Sequence, residues 1–201
     1  LRVKRDATRR FAWSRDTRSP GDRFIRQAIT EESPTAPAHV IFVVDGSVGM
    51  KSHWQEIAEA LGKVPSTVEK TILVASDQVE TVKEPAALAR ISPLGGQDNL
   101  PALLHAWNLG AQKTNSVIVW VHGPQPMKLQ STEALLQAVE RTAVPPKLYE
   151  IQTTPGPDRI IENLDGVRSL KPVLRTGSLT EDLARSEEHT SETSVTNWKF
   201  D

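Results

Sequence analysis

Asp45 and Ser47 are the residues of this 201-residue chain whose placement first points to chemistry. They follow Val40-Ile41-Phe42-Val43-Val44, an unbroken apolar run of strand length. Such a run, rich in β-branched side chains, predicts a strand buried on both faces. A carboxylate and a hydroxyl just past it stand where open α/β sheets bind ligands, at the carboxyl ends of the strands. His122 closes a second run, Val117 to Val121, and Gln97-Asp98 follows the turn Gly95-Gly96. Ser47 with His122 is the pair a hydrolase would use, with Ser47 between strand and helix as in a nucleophile elbow. Against that stands Asp45, which fills the place of the motif's first glycine. There is also no Gly-x-x-x-x-Gly-Lys loop for phosphate. The chain therefore reads as a non-enzyme.

The elements that must hold these residues alternate. Met50, Trp54, Ile57, Leu61 and Val64 are spaced as one apolar helix face, ended by Pro65. Thr71 to Ala75 predicts a second strand and Val79 to Val82 a short return strand. A short helix follows over 85–90. Asp98 or Asn99 can cap the next helix, with Pro101 in its first turn and Leu100, Leu103, Leu104, Trp107 and Ala111 facing inward. Further helices are expected over 131–141, over 157–164 and from Leu179, and further strands over 148–152 and 170–174. Strands alternating with helices predict βαβ units: an α/β, Rossmann-like three-layer sandwich with a mostly parallel central sheet.

Composition agrees with a globular domain: 38% of residues are hydrophobic, 24% are charged, and the net charge is −1. No global field favours nucleic acid or a membrane surface. The chain has no cysteine, which excludes disulfides and thiolate metal sites. It opens on Leu1 rather than Met and is expected to be a fragment of a longer protein. Membrane anchoring is expected only through parts of that parent outside this sequence.

Three stretches resemble the von Willebrand type A (VWA) family: Val43-Val44-Asp45-Gly46-Ser47-Val48-Gly49, Gly95-Gly96-Gln97-Asp98-Asn99 and Val119-Trp120-Val121-His122-Gly123. The resemblance spans 39–184. It implies an adhesion-type module that binds a protein partner, in the cell envelope or outside the cell. It also implies a metal-ion-dependent adhesion site on these loops, where Mg²⁺ takes hard oxygen ligands and an acidic group of the partner completes the shell. The family pattern there is Asp-x-Ser-x-Ser, then Thr, then Asp. Asp45 and Ser47 match. Gly49 replaces the second Ser, Gln97 the Thr and His122 the last Asp, while Asp98 can compensate in part. The expected ligand-binding rim is Asp45, Ser47, Gly49, Gln97, Asp98 and His122. Its metal site is degenerate, with Asp45, Ser47 and Asp98 left for Mg²⁺. A neutral His122 near Asp45 offers Zn²⁺ a nitrogen and an oxygen, short of a third protein ligand.

The ends of the chain differ from its middle. Residues 1–30 hold nine Lys/Arg against three Asp/Glu, a basic arm before a Pro-containing linker at 31–38. The arm weakly resembles the end of a vault/inter-alpha-trypsin (VIT) domain, an arrangement of large bacterial proteins. Its rival role is binding nucleic acid or an anionic surface, with Phe11 and Trp13 as stacking faces; no nucleic-acid partner is expected. From Arg185 to Glu192 the chain reads like the translation of a sequencing adapter. The segment 185–201 is accordingly expected to be non-native.

Overall fold

The computed structural model describes residues 11–15, 24–28, 37–94, 98–126, 131–164, 167, 170–173, 176, 178–188 and 198–199. The chain forms two units, 36–188 and a smaller one made of 1–35 with 189–201. In the smaller unit β1 (Phe11–Arg15) pairs antiparallel with β2 (Phe24–Ala28). Arg26 and Gln27 of β2 pair in turn with Trp198–Lys199 of the tail.

The larger unit is built on a sheet of six strands. β3 (His39–Asp45) is flanked by β4 (Glu69–Ala75) and β6 (Ser116–His122). β5 (Val79–Val82) lies outside β4; β7 (Lys147–Gln152) and β8 (Leu170–Pro172) follow β6. Every pairing is parallel except that of β5, which returns antiparallel at the edge. This is the mostly parallel α/β sheet expected from the alternation of elements.

Every residue of β3 and β6 is buried. Alternation sends Val40, Phe42 and Val44 into one apolar layer, with Val117, Val119 and Val121 beside them. There they meet Trp54, Ile57 and Leu61 of α1 (Trp54–Gly62) and Leu179 and Leu183 of a C-terminal helix. Ile41, Val43, Ile118 and Trp120 enter the opposite layer with Leu100, Leu103 and Trp107 of the helix Leu100–Gly110. Burying each such side chain is worth about 1.5–3 kcal/mol, so these two strands anchor the unit.

The helix expected to start at Met50 begins differently. Val48–His53 is a 3₁₀ turn, and the α-helix starts only at Trp54. No side chain caps that turn, and Gly49 lies within it. Met50 nevertheless keeps its buried place in the stripe. The other helices are α2 (Pro85–Leu88), α3 (Leu100–Gly110), α4 (Glu133–Arg141), α5 (Ile161–Leu164) and α6 (Leu179–Glu188). None of the described residues forms a helix long and apolar enough to cross a membrane.

Candidate functional site

The strand order reverses at the β3–β6 boundary. From β3 the chain crosses to β4 on one side, and from β6 to β7 on the other. The carboxyl ends of β3 and β6 therefore form the crevice in which doubly wound sheets bind ligands. Asp45 is the last residue of β3 and His122 the last of β6, and both are fully buried.

Asp45 is held by three N–H donors. Its Oδ1 accepts from Ser47 N at 2.9 Å. Its Oδ2 accepts from Gly123 N at 3.2 Å and from Gln125 Nε2 at 3.0 Å. The carboxylate so ties the β3 turn to the loop after β6. Gly46 allows this turn: its N–H donates to Ala75 O at 3.0 Å, and a Cβ at this position would lie 2.5 Å from the same oxygen.

His122 is engaged on both ring nitrogens. Nδ1 lies 2.6 Å from Gly123 O, and Nε2 lies 3.3 Å from Glu150 Oε1. Its ring stacks on Trp120 at 3.7 Å between centroids, and Trp120 Nε1 donates to Asn99 Oδ1 at 2.9 Å. Asp158 Oδ2 is 3.5 Å from His122 Nδ1. One ligand atom each from His122, Glu150 and Asp158 falls within 4.8 Å of the others. Burial pushes the Asp158 carboxyl above its ordinary range, and the Glu150 charge adds to this. The Ile161 and Ile160 N–H groups and His122 oppose it.

The expected rim is thus split. Ser47 is half-buried and Gly49 exposed at the surface, while Asp45 and His122 lie beneath it. Asp98 is half-buried and accepts from Leu100 N at 3.0 Å, where it starts α3. Gln97 lies outside the described residues. Neither nitrogen of His122 is left for Ser47, and Asp45 makes its contacts with Ser47, Gly123 and Gln125 rather than with the imidazole.

Sequence reasoning missed Gln125, Glu150 and Asp158. Two left a signal. Glu150 is the one charged residue inside the apolar run 148–151, at the alternation parity of Leu148. Asp158 stands just before a helix, and its Oδ1 accepts from Ile160 N and Ile161 N. Gln125 left none, because its partner is 80 residues away.

Beside the crevice lies an open cavity of about 510 Å³ between the 3₁₀ turn and the segment after α2. Val48, Lys51, Trp54, Arg90, Ile91 and Pro93 line it, with Gln55, Ala89 and Ser92. Val48 and Leu94 are exposed apolar residues at this end, at 54% and 51%.

No family model matches this sequence, and no curated protein does. Solved structures do. The chain is similar to a von Willebrand factor type A protein from Catenulispora acidiphila, with a TM-score of 0.55 and 12% identity, over 85% of this chain and 45% of that one. It is also similar to the pilus adhesin SpaC from Lactobacillus rhamnosus GG in an open conformation. There the TM-score is 0.54 and identity 11%, over 92% of this chain and 36% of the adhesin. The chain therefore spans less than half the length of either. What these likenesses establish is the fold: the VWA-type α/β sandwich.

Proposed function

We propose that this chain is a non-catalytic protein-interaction module that docks an acidic, partly aliphatic segment of a partner, without a metal ion at Asp45. The observation that carries this reading is the cavity beside the crevice. It pairs exposed Val48 with the cations of Lys51 and Arg90. Neither cation has an ion-pair partner among the described residues. An aliphatic side chain would cover Val48 and Ile91, while a carboxylate would meet Arg90 in bidentate fashion.

Support for metal independence comes from the donor set. Mg²⁺ requires hard oxygen ligands in near-octahedral array. Here both oxygens of Asp45 already accept N–H groups, Gly49 has no side-chain oxygen, and the third loop brings an imidazole. These residues do not fit the ion, and Gln125 and Gly123 supply to Asp45 the positive partners it would otherwise lack. Support for a non-catalytic role comes from His122, whose ring nitrogens are both engaged away from Ser47. An extracellular or envelope setting in a bacterium accords with the adhesin likeness.

A displayed library of short peptides, each with one Asp or Glu among aliphatic residues, tests the reading. Enriched peptides should bind the full chain equally with and without a chelator. Arg90→Glu and Val48→Asp should each weaken binding at least about tenfold, the worth of one charge-assisted contact or one covered aliphatic side chain. Chelator-sensitive binding, or binding indifferent to both substitutions, would overturn it.

A further inference from the structure

We propose that His122, Glu150 and Asp158 form a binding site for a divalent transition ion of the zinc type. It is separate from the Asp45 turn and from the docking cavity. The argument starts at Nδ1 of His122. At 2.6 Å from Gly123 O it must carry the proton, because two lone pairs would repel at that distance. Nε2 then faces Glu150 Oε1 at 3.3 Å, either protonated and donating or with its lone pair toward the carboxylate. A lone pair facing a carboxylate oxygen needs something positive between them. A backbone carbonyl on the far nitrogen is also how ligating histidines are commonly oriented.

The separation suits a metal. Two ligands on a tetrahedral Zn²⁺ with bonds of about 2.0–2.1 Å lie about 3.3 Å apart. Asp158 supplies the third ligand. Its Oδ1 is anchored by the N–H groups of Ile160 and Ile161, which fixes the carboxylate. Its Oδ2 is buried without a hydrogen-bond partner, in a residue more than nine-tenths buried; it lies 3.5 Å from the Nδ1 edge of the imidazole, and one ligand atom from each of the three residues lies within 4.8 Å of the others. Buried polar atoms in native proteins are nearly always paired, so an orphan carboxylate oxygen beside a second carboxylate calls for a cation. Among the described residues neither Glu150 nor Asp158 has a Lys or Arg partner.

Ligand chemistry selects the ion. One imidazole and two carboxylates suit Zn²⁺ and its neighbours better than Mg²⁺ or Ca²⁺, which prefer oxygen throughout. The side chains of Glu150 and Asp158 keep 11% and 8% of their surface exposed, against none for His122. Metal would therefore arrive from the carboxylate side, with water as its fourth ligand.

Cobalt titration of the chelator-treated full chain at neutral pH tests the site. One equivalent of Co²⁺ should saturate a visible ligand-field band, which Zn²⁺ then abolishes. Glu150→Gln and Asp158→Asn keep shape and remove charge. Each should lower the affinity at least about tenfold, with an unchanged circular dichroism spectrum. Ser47→Ala, and the double variant His53→Gln with His105→Gln, should keep the band. Absence of the band in the wild type would overturn the site and leave a proton between Nε2 and Glu150. Persistence of the band in both carboxamide variants, or its loss in the double histidine variant, would overturn it as well.

Discussion

Asp45 shows how one residue type serves two designs. A carboxylate at the end of a central strand can hold a cation, or it can accept N–H groups and join two loops. Here Ser47, Gly123 and Gln125 use it in the second way, with no exposed surface left. Asp45→Ala strands these donors, two of them in fully buried bonds. A buried donor left unpaired costs about 1–3 kcal/mol. The variant should lose about 3 kcal/mol or more of unfolding free energy in a urea titration followed by circular dichroism. Ser47→Ala, at a half-buried position, should change it by less than about 0.5 kcal/mol. Equal effects from the two would mean that the Asp45 bonds carry little of the stability. The sequence made Asp45 and Ser47 visible, since an apolar run ending in Asp-Gly-Ser marks a strand end. It could not disclose which donors face the carboxylate, because Gly123 and Gln125 are brought to it only by the crossover from β3 to β6.

At the scale of elements, period and punctuation were informative. The five apolar residues before Asp45, and the run before His122, became the central strands, and the stripe from Trp54 to Leu61 became the buried face of α1. Boundaries were weaker. Met50 belongs to the stripe but sits in a 3₁₀ turn, since periodicity alone does not distinguish the two helix types over one turn. Tertiary caps were invisible. The N–H of Leu179 opens α6 by donating to Glu56 Oε1 of α1 at 2.7 Å, across more than a hundred residues of chain. Asp182, in the first turn, meanwhile receives Thr176 N at 2.8 Å. A carboxylate at a helix N-terminus satisfies an orphan donor and complements the dipole, together worth about 1–2 kcal/mol. Glu56→Ala should therefore speed amide hydrogen exchange over 179–188 about tenfold or more by mass spectrometry, while β3 and β6 keep their protection. Unchanged exchange at α6 would show that its apolar contacts through Leu179 and Leu183 suffice to hold it.

For the molecule as a whole, the division of the chain carries an energetic claim. Both apolar layers of the larger unit are built from residues between Val40 and Leu183. The unit spans 36–188, about 150 residues, a length at which folding buries roughly 68–70% of the chain's surface. Among the described residues, every member of those layers belongs to the larger unit. A protein trimmed to 36–188 should therefore unfold in one cooperative urea transition, with an m-value of about 1–3 kcal/mol/M and a midpoint near that of the full chain. Its Co²⁺ affinity and peptide binding should also be retained, because Val48, Arg90, His122, Glu150 and Asp158 all lie within it. A trimmed chain that aggregates or melts without cooperativity would mean that the terminal segments complete the core. The two-layer account of stability would then have to include them.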